Sequence, residues 1–235
     1  MHVPDGFLDA PTSVATGVIA AGGIALALRG ARRELDDRTA PMAGLVATFV
    51  FAAQMVNFPV GAGTSGHLLG GALAAVLVGP WTGTLCLSVV LGVQALLMAD
   101  GGITAIGTNI TLMGLVGVWV GWFVFRGVAA VLPKRPASVP PAAAAGALLS
   151  VPVAALVFTA LFAIGGTVPV AVGDVALAMV TWHTVIGVGE AVVTALVVAA
   201  VVAVRPDLVY GARKVLPVRE LEIRDTPSVR PGAAA

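Results

Sequence analysis

Three histidines, at positions 2, 67 and 183, are the side chains of this sequence best suited to bind a metal ion. His2 directly follows Met1 in the stretch MHVPDGF. At such a start, one ion can bind the terminal amine, the amide nitrogen of His2 and Nδ1 of His2, which closes a five-membered and a six-membered chelate ring. His67 can then supply the fourth equatorial nitrogen. A square of four nitrogens suits Ni(II), Cu(II) or low-spin Co(II) and disfavours Zn(II), which prefers a tetrahedron.

Each histidine also has an ordinary explanation. A histidine at position 2 is usually an exposed terminal residue, and His67, in GTSGHLLGG, has the setting of a histidine that hydrogen-bonds a loop carbonyl. His183 and Glu190 share one face of a helix, where Glu190 is either a neutral packing group or part of an ion relay below the site. Several side chains are candidates to hold the metal ligands in position without touching the metal: Asp5, Ser65, Asn109, His183 and Glu190.

The composition predicts an integral membrane protein. The chain has 235 residues, of which 58% are hydrophobic and 11% are charged, whereas soluble domains are about 25% charged. So few charges cannot cover a water-facing surface. A lone cysteine, Cys86, excludes an internal disulfide framework and a multi-cysteine metal site.

Long apolar segments predict an all-α bundle of about seven transmembrane helices, because lipid offers no partner to free backbone groups. The predicted spans are 11–29, 40–57, 67–80, 82–99, 109–132, 141–165 and 176–204. The third is short, and the sequence GPWTG, residues 79–83, is expected to separate it from the fourth as a tight turn.

The basic residues predict the orientation of these spans. With seven spans and the N-terminus outside, all of them fall on the cytoplasmic side: Arg29, Arg32, Arg33, Arg38, Arg126, Lys134, Arg135, Arg205, Arg213, Lys214, Arg219, Arg224 and Arg230. The opposite loops carry only acidic charges. We therefore expect residues 1–205 to form the membrane domain and residues 206–235 a partly disordered cytoplasmic tail.

Small residues recur every four positions on the first span: Ser13, Gly17, Ala21 and Ala25. Such a stripe lets a second helix approach closely. It predicts either packing inside the bundle or a docking surface for a partner membrane subunit.

Three stretches resemble a known family: MHVPDGFLDAPTS, NFPVGAGTSGHLLGG and HTVIGVGEAVVTA. They look like the cobalt/nickel substrate-binding membrane component of energy-coupling factor transporters, the CbiM/NikM family, and the likeness runs to about residue 205. The resemblance implies a seven-helix component in the cell membrane that captures Co(II) or Ni(II). It implies metal ligation by the Met1 amine, the backbone nitrogen and side chain of His2, and His67, on an N-terminal loop inserted between the helices.

The resemblance also implies partners: a transmembrane coupling protein, two ATPase subunits and often a small accessory membrane subunit. The chain has no P-loop pattern, so ATP hydrolysis is expected on another chain. No enzyme activity, organic cofactor or nucleic-acid partner is expected. Metal binding is expected to weaken as the pH falls from about 8 to about 6, through the titration range of an amine and an imidazole.

Two alternatives come from other classes of protein. An intramembrane metalloenzyme would use His67, His183 and Glu190, although the sequence has no His-Glu-x-x-His helix. A vitamin-binding component would need an apolar pocket with aromatic contacts, and the chain has only one tyrosine. Between cobalt and nickel the sequence does not choose.

Overall fold

The regular structure is almost entirely helical. The structure, a computed structural model, describes residues 1–36, 39–61, 64–213 and 215–216. Its helices are α1 (Ala10–Ala31), α2 (Ala40–Gln54), α3 (Gly71–Val78), α4 (Pro80–Leu97), α5 (Ile106–Asn109), α6 (Val118–Val131), α7 (Val139–Gly165), α8 (Val172–Val204) and α9 (Tyr210–Arg213). A π-helical stretch, Ile110–Gly117, joins α5 to α6, and 3-10 turns lie at Pro136–Ser138 and Pro206–Leu208. The predicted all-α bundle is confirmed.

Five helical segments are long and apolar enough to cross a membrane. They are Ala10–Ala31, Pro80–Leu97, Ile106–Val131, Pro136–Gly165 and Val172–Val204. All seven predicted spans are helical, but α2 has 15 residues and α3 has only 8. Both are shorter than the roughly 20 residues that span a bilayer.

Helix α3 is an inner helix, with every residue buried. It packs against α2, α4, α6 and α7. The predicted third span, 67–80, is therefore wrong in extent, and so is the predicted five-residue turn. Gly79 alone breaks the chain with φ of 98°, and Pro80 already begins α4, because its fixed φ suits the first helical turn. At the other end Gly70 has φ of 76°, so α3 lies between two glycines in conformations that side chains disfavour.

Helix α8 shows how the bundle divides apolar and polar side chains. Leu177, Val185 and Val188 are exposed, as a lipid-facing surface requires, whereas His183 and Glu190 are buried. Polar groups of a membrane helix are least costly on the inner face, where they find partners. The orientation of the bundle, with the N-terminus outside, stays a prediction.

The small-residue stripe on α1 divides into an inner and an outer part. Gly17 packs against Gly107 of α5 so closely that a Cβ on Gly107 would lie 2.4 Å from Gly17 Cα. Ser13 is half-buried, while Ala21 and Ala25 are exposed. Internal packing therefore accounts for Gly17.

A short hairpin, which the sequence analysis treated as loop, precedes α3. Its strands are β1 (Phe58–Gly61) and β2 (Thr64–Gly66), in antiparallel pairing with Pro59 opposite Ser65. Because Pro59 cannot donate a hydrogen bond to a neighbouring strand, the sequence of residues 58–61 does not predict a strand. The hairpin leads directly into the loop that carries His67.

The chain after α8 packs back onto the bundle as far as the structure describes it. Val209 and Ala212 are fully buried, and a Cβ on Gly211 would lie 2.7 Å from the Phe125 ring. Arg213 lies 3.7 Å from Asp36, at the loop after α1. The predicted boundary at residues 205 and 206 stays a prediction. The tail from 217 to 235 lies outside the described residues, with Arg219, Arg224 and Arg230, as do Arg38 and Lys214.

Candidate metal centre

The first three residues are buried inside the bundle. Met1 is 1% exposed, His2 6% and Val3 0%. Asn109, at the end of α5, holds this segment through two hydrogen bonds. Its Oδ1 accepts from the Val3 amide at 2.7 Å, and its Nδ2 donates to the Val3 carbonyl at 3.1 Å. One predicted orienting residue thus pairs with the backbone next to His2.

The segment is also fastened along its length. The Gly102 amide donates to the Val3 carbonyl at 2.9 Å, and the Thr104 amide donates to the Asp5 carboxylate at 2.7 Å. The hydrogen bonds from Thr104 hold the pKa of exposed Asp5 below its usual value. Further on, the Asp9 amide donates to the Gly165 carbonyl at 2.7 Å. Asp5 therefore positions the N-terminal segment rather than facing the histidines.

Gln94 and Asp100 contact the two imidazole nitrogens of His2. Nε2 lies 3.1 Å from Gln94 Oε1, an acceptor, and donates to it when Nε2 carries the ring proton. Nδ1 lies 3.0 Å from Asp100 Oδ1, in a contact that is not aligned as a hydrogen bond. With the proton on Nε2, Nδ1 has a lone pair for a metal. Asp100 faces whatever cation occupies Nδ1, and the contact with His2 holds the pKa of Asp100 below its usual value.

His67 lies fully buried in the loop between β2 and α3. Its Nδ1 is 2.8 Å from the Leu68 carbonyl and donates to it, which leaves a lone pair on Nε2. The next peptide groups are held by Glu190, which accepts from the Leu69 amide at 2.6 Å and from the Gly70 amide at 3.0 Å. Gln54 donates to the Leu69 carbonyl at 2.7 Å. Because both Glu190 oxygens accept hydrogen bonds from backbone amides, this carboxylate positions the His67 loop.

The imidazoles of His2 and His67 are stacked. The ring centroids of His2 and His67 are 4.4 Å apart, and their planes differ by 25°. Two imidazoles in neighbouring equatorial positions of one ion, with nitrogen–metal bonds of about 2 Å, have centroids roughly 4.5 Å apart. The centroid separation therefore matches that of cis ligands on one cation, while the rings themselves are stacked.

The α-amine of Met1 is in the protonation state that metal binding requires. Burial lowers the pKa of this amine from 8.0 to about 4, and the negative charge of Asp100 opposes the shift only in part. The amine is therefore unprotonated at neutral pH and has its lone pair available. Burial likewise lowers the pKa of His67, and the amine, His2 and His183 lower it further.

Access from outside the bundle leads through a cavity of about 380 Å³. His2 and Asp100 line it together with Ser65, Asn57 and Gly101. Ser65 thus lies at the wall of the approach. A carboxylate at this wall attracts divalent cations, and it contacts the nitrogen that the ion would bind.

The buried His183 interacts electrostatically with the Met1 amine and with His67. Within the described ranges, no three His, Cys, Asp or Glu side chains converge in a way that could hold a metal. An ion here would need main-chain nitrogens as well as imidazoles.

Sequence reasoning missed three residues of this site: Gln54, Gln94 and Asp100. The signal was available for the glutamines, because they are the only two in the chain and both stand in apolar segments. A polar side chain inside a membrane helix marks a site or an internal partner. Both are fully buried.

The whole chain can now be compared with known proteins. The family described as the cobalt uptake substrate-specific transmembrane region matches residues 2–208. The chain belongs to this family. The membership and the five long apolar helices make it a multi-pass membrane protein.

Several relatives align over most of the chain. A protein of Haloquadratum walsbyi, provisionally named as a metal transport protein, is 40% identical over 214 residues, which cover 89% of this chain and 94% of that protein. The cobalt transport protein CbiM of Sorangium cellulosum is 36% identical over 88% of this chain and 94% of its own. The fused nickel transport protein NikMN of Rhodobacter capsulatus is 35% identical, and the match covers 91% of this chain and 65% of that longer protein.

A solved structure has the same fold. The crystal structure of a truncated transition metal transporter superposes with a TM-score of 0.81 at 28% identity. The match covers 86% of this chain and 99% of the other.

Proposed function

We propose that this chain is the membrane component that captures Co(II), Ni(II) or both for an energy-coupling factor transporter. The ion is held in a plane by four nitrogens: the Met1 amine, the deprotonated amide of His2, Nδ1 of His2 and Nε2 of His67. The relatives named for cobalt and nickel transport support the class of substrate. They also favour a transporter over the intramembrane metalloenzyme.

One observation carries the proposed site. The Met1 amine and the His2 and His67 imidazoles are buried together, and on both rings the nitrogen needed for the metal has no hydrogen-bond donor among the described residues. A buried polar atom without a partner is costly. A cation that binds the amine and both ring nitrogens removes that cost at the two ring nitrogens at once.

The remaining chemistry is assigned to other chains. A coupling membrane protein and two ATPase subunits, with a small accessory membrane subunit, would turn ATP hydrolysis into release of the ion to the cytoplasm. The exposed residues Ala21 and Ala25 on α1 are the part of the small-residue stripe that remains available for docking. Co-purification of the coupling protein should be lost in a double variant with leucine at these two positions and kept in wild type.

The decisive test concerns the chain start. Adding Gly-Ser before Met1 removes the free α-amine at the site and breaks the five-membered chelate ring. We expect Ni(II) and Co(II) affinity, measured by isothermal titration calorimetry on the purified chain, to fall by at least about a hundredfold. Intact-mass spectrometry must first show an unmodified Met1 in the starting protein.

The matched control carries the same two residues after Ala235 and should bind as wild type does. A second variant, His67→Ala, should weaken binding while thermal unfolding shows a folded protein. Normal affinity in the N-terminally extended chain would reject the amine as a ligand. Normal affinity in His67→Ala would remove His67 from the site.

A further inference from the structure

A small cavity with a positively charged wall lies toward the C-terminal end of α6. Its volume is about 130 Å³, and Arg126 and Lys134 both line it. Neither of these two side chains has an ion-pair partner among the residues that the structure describes, whereas Arg205 and Arg213 each pair with an aspartate. The described residues around the cavity include no acidic side chain. Two uncompensated positive charges therefore face one small space.

The walls of this cavity come from two distant parts of the chain. Trp122 and Phe125 of α6 form one side, and both are buried. Gly211 and Val215, in the segment after α8, form the other. A Cβ on Gly211 would lie 2.7 Å from the Phe125 ring, so this segment is packed tightly against α6. The cavity is thus a feature of the packed fold and not a gap between loose side chains.

The cavity lies at the opposite end of a membrane-crossing segment from the candidate metal centre. Ile106–Val131 is long and apolar enough to cross a membrane, and Asn109, near its start, holds the backbone of Val3. At 1.5 Å per residue, Arg126 lies roughly 25 Å farther along this segment, and the hydrocarbon core is about 30 Å thick. A long basic side chain near a helix end extends its charge into the headgroup region. The two charges therefore lie at the level of the phosphate groups of the opposite membrane face.

The surface of α6 beside the cavity is apolar and uncovered. Phe123 is 62% exposed and Val131 is 83% exposed, and a Cβ on Gly127 would meet no atom within 4 Å. Ala130 is exposed as well, and it also lines the cavity. A molecule with its polar group in the cavity could thus lay hydrocarbon chains along this surface.

We propose that this cavity binds the phosphate of an anionic phospholipid, whose acyl chains lie along the exposed surface of α6. The guanidinium of Arg126 and the ammonium of Lys134 both bind phosphate oxygens through charge-assisted hydrogen bonds. Basic pockets between membrane helices are a known class of phospholipid headgroup site. A zwitterionic phospholipid fits less well, because the two positive charges repel its own cation. A soluble phosphate would gain nothing from the apolar surface.

The test titrates the full chain in detergent with phosphatidylglycerol or phosphatidylcholine of identical acyl chains, and native mass spectrometry counts the bound lipids. The pocket variant carries Arg126→Gln with Lys134→Gln. Its matched control carries Arg32→Gln with Arg135→Gln, which removes two exposed charges that do not line the cavity. Thermal unfolding shows that both proteins are folded.

We expect wild type to bind phosphatidylglycerol at least about tenfold more tightly than phosphatidylcholine. In the pocket variant the phosphatidylglycerol affinity should fall about tenfold or more, and in the control less than about threefold. Equal affinity of wild type for the two lipids, unchanged affinity in the pocket variant, or equal losses in both variants would overturn the proposal. Equal losses would mean that the lipid responds only to net charge.

A second pair of variants changes the charge in the cavity at constant size. Ala130→Glu places a carboxylate at the cavity wall, and Ala130→Gln places a neutral side chain of the same length there. We expect Ala130→Glu to bind phosphatidylglycerol at least about fivefold more weakly than Ala130→Gln does. Equal affinities in these two variants would contradict a phosphate in this cavity.

A competition experiment separates a lipid phosphate from a soluble one. Inorganic phosphate is added to the lipid-bound protein, with sodium chloride of equal ionic strength as the control. We expect both salts to displace the same small fraction of phosphatidylglycerol. Displacement by phosphate alone would assign the cavity to a soluble phosphate and overturn the lipid site. None of these measurements requires a bound metal, so their outcome is independent of the four-nitrogen site.

Discussion

Two buried glutamates, Glu190 and Glu34, lie at opposite ends of the inner helix α3. Both accept hydrogen bonds from backbone amides, but they hold different parts of the chain. Glu190 accepts hydrogen bonds from Leu69 and Gly70 before α3 begins. Glu34 accepts from Trp81 at 3.2 Å and from Thr82 at 2.7 Å after α3 ends. Each carboxylate thus satisfies the free amide groups at a helix start, where negative charge is favourable.

What differs is the backbone that each glutamate holds. Glu190 holds the loop that carries His67, and His67 faces the chain start. Glu34 lies against Gly79, where a Cβ would be 2.5 Å from its carboxyl carbon, and fastens the corner between α3 and α4. In the same protein, Glu190 thus supports the proposed metal site, whereas Glu34 supports only the packing of α3 and α4.

The largest effect expected from this comparison is on metal affinity. Glu190→Gln keeps only one of the two side-chain oxygens that accept from the Leu69 and Gly70 amides, so the His67 loop loosens. We expect Ni(II) affinity to fall about 10- to 100-fold, together with a loss of about 1.5–3 kcal/mol in the free energy of unfolding. Titration calorimetry and thermal unfolding in detergent measure the two quantities.

Glu34→Gln is the matched variant. It should lose a similar free energy of unfolding and keep wild-type affinity, because no ligand lies on the backbone it holds. Equal losses of affinity in both variants would break the comparison, since the defect would then be general loosening of α3.

A smaller effect is expected on the rate of metal association, and it compares Asp100, near His2, with Asp174. Asp100 lines the outer cavity and contacts His2, whereas Asp174, exposed at the start of α8, lines a different surface. Asp100→Asn should slow Ni(II) association about three- to tenfold and weaken its dependence on salt, because a charge at a cleft raises the local concentration of cations. Stopped-flow binding at several ionic strengths measures this.

Asp174→Asn removes an equal charge away from the access route and should leave the association rate near that of wild type. Identical rates and salt slopes in the two variants would show that only the net charge of the molecule matters.

The smallest expected effect concerns the number of protons that the protein releases when the metal binds. The sequence alone predicted that protons compete with the metal for an ordinary amine and imidazole between about pH 8 and 6. Since burial lowers the pKa of the Met1 amine to about 4, this amine is already neutral in the folded apo protein and releases no proton to the metal there. At about pH 7.5 we expect close to one proton released per ion, from the His2 amide, and calorimetry in buffers of different ionisation enthalpy measures it. Release of about two would mean that the amine is protonated before the metal arrives.

The lowered amine pKa also makes the apo protein less stable as the pH falls. An unfolded chain binds a proton at this amine below about 8, and the folded chain does so only below about 4. The unfolded state therefore binds more protons between these values, and the free energy of unfolding decreases from pH 8 toward pH 4.

The sequence predicted the helices, because hydropathy acts locally, whereas metal ligation by His2 and His67 stays a prediction. It could not predict that Gln94 would contact His2 or that Gln54 would hold Leu69, because these contacts depend on how the elements that carry them pack together. The extent of α3 was misjudged for a related reason. A fully buried helix and a lipid-facing one are equally apolar, and only their length and neighbours tell them apart.

The fastening of the chain start has a consequence for biosynthesis. Residues 7 to 9 pair with the backbone of residues 165 to 167, at the end of α7. A ribosome makes those partners late, so the first residues must wait, undocked, while most of the bundle is inserted. During that interval the α-amine is open to enzymes that process new chains, and after it the amine is sealed among the helices. Any enzyme that must remove a blocking group from this amine has to act within that interval.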